Sequence, residues 1–278
     1  MSWSLLGVEA LVALVGSLLL FGTGLAIVLR ERRLVLVDTL WGLSFVVIAA
    51  CGFLSALVRA LLPGSEATVG AGVGPRRFII LATVSIWGLR LALHLHRRNG
   101  HGEDERYAAL LARTPGSFQQ VALKRVFLPQ AVISFIIASP ILVGMATLAR
   151  VDWVFWLGVG VWAVGFFFEA VGDAQLTAFR ADPANKGRVL DTGLWGLTRH
   201  PNYFGDATVW TGLWLMATGT PPGWLTFISP LAMTYFLYAR TGKALLEKHM
   251  AARRGPEYQA YRERVSGFFP LPPKKRQG

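Results

Sequence analysis

Three runs of uncharged, mostly apolar residues constrain this chain more than any other feature. Ala10–Leu29 and Thr39–Val58 are each 20 residues long, and Val126–Ala149 is 24. About 20 apolar residues cross the hydrocarbon core of a bilayer as a helix. Backbone amides have no water partner there, so a spanning segment is a helix or belongs to a closed barrel. Barrel strands would read as ~10-residue alternating segments, and none occurs. Charged residues make up 16% of the chain, against about 25% in a soluble domain. The expected fold is therefore all-α and polytopic.

Seven spans fit the pattern: 5–29, 35–62, 78–96, 126–149, 153–174, 206–219 and 223–240. Pro221-Pro222-Gly223 divides the last uncharged run, Ala207–Ala239, into two short spans. The first span is too long for a signal-peptide core and has no basic residues ahead of it. The segment Lys243–Arg264 reads as a cytoplasmic helix at the membrane surface, interrupted at Gly255-Pro256, with Leu245, Leu246, His249 and Met250 near one face. Lys274-Lys275-Arg276 follows near the end. One membrane domain is expected over 1–278, with substrate-side helices in 1–125 and cofactor-binding helices, loops and tail in 126–278.

The charge is +12, yet its placement argues against nucleic acid as the partner. Of 28 Lys and Arg, 23 fall at 30–33, 97–125, 175–205 and from 240 onward, all on one side of a seven-span chain. The positive-inside rule then puts the N-terminus outside and the C-terminus in the cytoplasm, in a bacterial inner membrane. The single Cys51 lies inside the second span and excludes both a disulfide framework and a Cys-rich zinc site. No HExxH or other paired-His spacing, GxGxxG or Walker loop occurs, so no metal is expected. A nucleotide site has to be built from membrane helices and loops. No obligate protein partner is implied.

Ionisable groups concentrate in Glu169–Asp206, with four cations, five carboxylates, a His and two Asn. Charge at bilayer depth costs roughly 2.5–3.5 kcal/mol per residue on insertion scales and marks functional sites. Glu169, Asp173 and Arg180 are spaced to share one helix face. Lys186 and Arg188 flank Gly187 in a turn-rich loop, an arrangement suited to phosphate. Arg199, His200, Asn202 and Tyr203 stand at the start of an apolar helix, whose N-terminus favours anions. In the third span Arg90, His94 and Arg98 fall on one side, and His94 is a candidate proton donor. Asp38, one turn before Trp41, opens the second span. The polar loop 97–107, including His101, reads either as a cover over a cofactor or as a solvated connector.

These motifs taken together resemble a known family. They are Asp38-x-x-Trp41-Gly42, Trp87-x-x-Arg90, Arg98-Asn99, Gly102-Glu103-Asp104-x-Arg106-Tyr107, Glu169-x-x-Gly172-Asp173-x-Gln175, Asn185-Lys186-Gly187, Asp191-x-Gly193 and Thr198–Gly205. The chain from residue 38 to about 270 resembles the bacterial branch of the steroid 5α-reductase-like integral membrane proteins. The resemblance implies NADPH held among the C-terminal helices and cytoplasmic loops, and hydride transfer to an activated C=C bond of a sterol-like or other lipid substrate. By position, Glu169 and Asp173 would lie near the nicotinamide amide. Arg98, Arg180, Lys186, Arg199, His200, Asn202 and Tyr203 would surround the cofactor, and Tyr258 and Tyr261 would help close the site. The acidic catalytic position falls on Asp38. The third span contains no Tyr, and His94 occupies the approximate place of the proton-donating residue. A looser likeness of Arg199–Tyr203 and Glu247–Tyr261 is to isoprenylcysteine carboxyl methyltransferases, which implies S-adenosylmethionine chemistry as the alternative.

Overall fold

The computed structural model describes residues 3–62, 74–100, 102–147, 149–240 and 243–274. His101, Lys275, Arg276 and the side chains of Leu245, Leu246 and His249 lie outside the described residues. The described residues contain no strand, only one isolated parallel bridge between Thr198 and Ser266. Five helices are long and apolar enough to cross a membrane: Leu6–Glu31, Leu36–Leu61, Pro75–Asn99, Phe118–Ile137 and Trp153–Ala181. The chain is a multi-pass membrane protein. It divides into two compact units, one of residues 1–153 and 216–226, the other of 154–215 and 227–278.

In the first unit, α1 (Trp3–Glu31), α2 (Leu36–Leu61) and α3 (Pro75–Asn99) pack in sequence. The α2–α3 contact is close because glycines meet. A Cβ on Gly42 would stand 2.6 Å from the Gly88 carbonyl oxygen, and one on Gly88 would stand 2.7 Å from that of Gly42. Lipid is as apolar as the side chains, so helix association rests on such close van der Waals contact. Phe45 and Trp87, both fully buried, fill the seam beside it with ring centroids 5.6 Å apart. The short α4 (Glu105–Arg113) follows, capped by the Asp104 carboxylate, which accepts from the Arg106 amide.

The fourth span departs from the expected 126–149. Helix α5 (Phe118–Ile137) starts earlier, behind a Ser117–Gln120 capping box. It widens into a π turn at Ala122–Phe127, just ahead of Pro129, which has no N–H to return. It ends at Ala138, and α6 (Ser139–Ala146) begins separately with Pro140 in its first turn. The third span also starts earlier than expected. Arg76 and Arg77, which fall before the expected span 78–96, are buried in the first turn of α3. Arg77 Nε donates to the Met145 carbonyl at 2.6 Å, and Arg76 Nη2 donates to that of Met216 at 2.7 Å. Each guanidinium thus satisfies a carbonyl at a helix C-terminal end, where cations are favoured. Glu9 of α1, fully buried, pairs with Arg59 of α2.

The second unit is built on α7 (Trp153–Ala181) and α8 (Pro201–Ala217). The expected last span breaks at Thr226–Phe227: α9 (Pro221–Leu225) belongs to the first unit and α10 (Ile228–Tyr235) to the second. The tail helix α11 (Lys243–Arg264) carries the expected interruption, with Gly255 at φ 54° ahead of Pro256.

Candidate functional site

A glycine seam sets the geometry of the second unit. A Cβ on Gly165 would lie 2.5 Å from the Val209 amide, and one on Gly212 would lie 2.5 Å from the Trp162 amide. Gly205 presses against the backbone of Glu169. The two backbones therefore touch, and the polar turn of α7 lies against the start of α8. Glu169 and Asp173 are both buried. Asn202 Nδ2 donates to Asp173 Oδ1 at 3.1 Å, while Asn202 Oδ1 accepts from the Tyr203 amide. The structure thus joins Glu169, Asp173, Asn202 and Tyr203, which the sequence separates by some thirty positions. Gln175 and Gly172 hold the next loop: Leu194 N donates to Gln175 Oε1 and Trp195 Nε1 to the Gly172 carbonyl.

Where α7 ends, Asp182 caps a 3-10 turn through the Ala184 amide, and Asn185 Nδ2 reaches back to the Phe179 carbonyl at 3.1 Å. Gly187 takes φ 91°, a conformation L side chains rarely adopt, and turns the loop. The result is a cleft of about 360 Å³. Arg180, Lys186 and Arg188 supply its charge, and Phe179, Leu190 and Met250 form an apolar wall. Asp182, the carboxylate of the lining, is directed at the turn it caps.

Arg199 and His200 have different surroundings from those their sequence position implied. Arg199 donates through Nε and Nη2 to Glu247 Oε1 at 3.0 and 2.8 Å, and through Nη1 to the carbonyls of Arg262 and Val265. His200 Nε2 lies 3.2 Å from the same Glu247 oxygen, and its ring stacks on Tyr203. Burial alone would raise the Glu247 pKa, but the hydrogen bonds from His200 and Arg199 outweigh it and hold the carboxyl at about 2. Burial pushes the His200 pKa down despite Glu247, so the ring stays neutral near pH 7. This knot fastens α11 to the start of α8. Thr198 Oγ1 to the Phe268 carbonyl and Arg199 N to the Ser266 carbonyl extend it into the tail. Tyr258 and Tyr261 are buried with Val265 against Val189 and Met250, and the Tyr261 hydroxyl donates to the Trp195 carbonyl at 2.7 Å.

The first unit has its own polar cluster. Glu103 accepts from the Leu34 and Val35 amides at 2.6 and 2.9 Å, which satisfies donors at the α2 start. Arg33 reaches the carbonyls of Gly100 and Gly102, and Asn99 that of Val35. Asp38 lies within this clamp. Its Oδ1 accepts from the Tyr107 hydroxyl at 2.6 Å, and its Oδ2 faces Arg106 at 3.1 Å and Arg98 at 3.8 Å. Burial, reinforced by Asp38, raises the Tyr107 pKa strongly, so the phenol keeps its proton. His94 is half-buried on α3, one turn before Arg98. Sequence reasoning gave Tyr107 and Arg106 no role of their own beyond their place in the loop 97–107 and its Gly102–Tyr107 motif. Glu247 entered it only as one end of a looser likeness.

A model of one protein family matches residues 25–265, a stretch that holds every candidate residue named above. The chain belongs to the DUF1295 family. That family is described as one of unknown function. One relative of this DUF1295 chain is the uncharacterized protein C594.04c of Schizosaccharomyces pombe. It is 23% identical over 232 residues, which are 73% of this chain and 66% of that protein. Another is the probable O-methyltransferase ustE of Ustilaginoidea virens, 37% identical over 62 residues, or 22% of each chain. The chain thus aligns with just under two thirds of the first relative's length and about a fifth of the second's. No solved structure matches it.

Proposed function

We propose that this protein is an NADPH-dependent membrane reductase acting on a C=C bond of a sterol-like or other lipid substrate. The observation that carries the reading is the cleft at the end of α7. Three cations converge on it, its lining carboxylate is turned away, and an apolar wall adjoins. A phosphate gains charge-assisted hydrogen bonds from such a set, and a purine ring gains contact with Phe179 and Leu190.

The residues present fit the cofactor in chemical kind. Arg180 and Lys186, with Arg188 added, hold the phosphate end. The buried Glu169–Asp173–Asn202 group offers the acceptors that a carboxamide needs, and places them beside Tyr203. Arg199 and His200 support the site indirectly, by fixing α11. When bound, NADPH supplies a hydride. The resemblance assigns His94 the proton that balances it and Asp38 the acidic position, and it assigns Arg98 to the cofactor.

A second reading, an S-adenosylmethionine-dependent methyltransferase, draws on the short likeness to the probable O-methyltransferase and on the contact of Arg199 and His200 with Glu247. The cleft argues against it, because a sulfonium cation is repelled by three like charges. Thermal unfolding in detergent separates the two. A ligand at 100 times its Kd stabilises the folded state by about 2.7 kcal/mol. NADPH is expected to raise the Tm, and the joint substitution Arg180→Gln/Lys186→Gln to weaken NADPH at least tenfold more than NADH. A shift with S-adenosylmethionine and none with NADPH would reverse the ranking.

A further inference from the structure

The segment after α11 has an unusual backbone economy. From Pro270 to Lys274 the sequence is Pro-Leu-Pro-Pro-Lys, so three of five residues carry no N–H. The two amides that remain are both used: Leu271 N donates to the Leu197 carbonyl and Lys274 N to the Arg264 carbonyl, each at 3.0 Å. An irregular segment whose amide donors are all satisfied can lie in a region poor in water, where an unpaired amide costs several kcal/mol.

Its side chains are divided in the way an interface requires. Phe269 and Leu271 are 66% and 55% exposed although the strap holding them is pinned. Phe268, edge-on to Phe204 and Tyr238, anchors the strap from beneath. Tyr235 and Tyr238 are exposed on the neighbouring turns. Tyr side chains, apolar in body and polar at the tip, are enriched at the level of lipid headgroups.

Beside the strap is a polar cleft of about 860 Å³, lined by Arg188, Arg262, Arg264 and Lys274. Its acids are committed within the protein. Asp191 pairs with Arg264 at 2.5 Å, Glu257 accepts from the Val189 amide, and Glu263 accepts from Gln259. Arg262 Nε stands 3.9 Å from Glu247 Oε2 at the edge of this cleft, and among the described residues no carboxylate stands within salt-bridge distance of Lys274. Basic residues next to a membrane attract anionic lipid.

We infer that residues 262–274 form an anionic-phospholipid site, with Phe269 and Leu271 entering the acyl boundary and Arg262 and Lys274 holding the lipid phosphate. The site is independent of the reductase reading, since neither substrate nor cofactor enters the argument. Its test uses the full chain in mixed micelles. Phosphatidylglycerol is expected to raise the Tm by several degrees over phosphatidylcholine at equal mole fraction, and native mass spectrometry to count the retained lipid. Arg262→Gln/Lys274→Gln should abolish most of that difference; because Arg262 also faces Glu247, any fall in Tm common to both lipids is set aside and the difference between them is the readout. Lys274→Gln alone, at an exposed position, should reduce lipid retention severalfold. Equal shifts with both lipids, the same shift with inorganic phosphate, or full retention in both variants would overturn the inference.

Discussion

Glu247 is the residue on which the second unit most depends, because one of its oxygens serves both Arg199 and His200. Removing it leaves a guanidinium that is 10% exposed without its counter-ion. Breaking a buried pair by deleting one partner costs roughly 3–5 kcal/mol. Two backbone carbonyls still receive Arg199, so Glu247→Ala is expected to cost about 3 kcal/mol, at the low end of that range. Equilibrium unfolding in detergent would measure it. The pH dependence has one sign. A carboxyl held at about 2 when folded, against 4.5 ordinarily, stabilises fully above about pH 4.5 and progressively less as the pH falls towards 2. His200, also depressed, begins the loss earlier, below its ordinary 6.5. Acid destabilisation should therefore flatten in Glu247→Ala. None of this was legible in the sequence. Arg199 and His200 stand at a helix start, where the local rule assigns them to an anion. The anion that claims them is a protein carboxylate 47 or 48 positions away, and spacing alone carries no information about that.

Among the elements, those with long apolar runs were the easiest to read. Burial in lipid demands a helix of a certain length whatever its neighbours do, so α1, α2 and α7 follow from composition. The boundaries that moved did so for local reasons. Pro140 starts a new helix inside an uncharged run, and two arginines join α3 because helix-end carbonyls receive them. Hydropathy scores both as it would score a loop. The glycine seam of α7 and α8 belongs to this scale as well. Gly205→Ala would drive a methyl group into the Glu169 backbone and should destabilise by about 1–3 kcal/mol, the usual cost of overpacking. Gly160→Ala in the same α7 meets nothing within 4 Å and should stabilise by roughly 0.5–1 kcal/mol. Paired thermal melts of the two variants would check the contrast. Within the site, the Glu169–Asp173 face was legible from its four-residue step. The Asn202 partner was legible only as a motif, because the seam that joins them depends on glycines from both helices.

At the scale of the whole molecule, the distribution of Lys and Arg makes the strongest prediction. A green fluorescent protein fused after the C-terminus should fluoresce, and alkaline phosphatase fused after Arg150 should be active. The opposite pair of signals would refute the orientation. The clamp between residues 33–38 and 99–107 bears on the same question, because two crossings, α2 and α3, lie between its halves. It fails to close if one of the two helices traverses the bilayer and the other does not. A chain in which either had slipped out would leave Glu103 and Asp38 on the wrong face from the amides and arginines that receive them. The clamp thus works as a buckle on the α2–α3 hairpin, joining its two ends on one face.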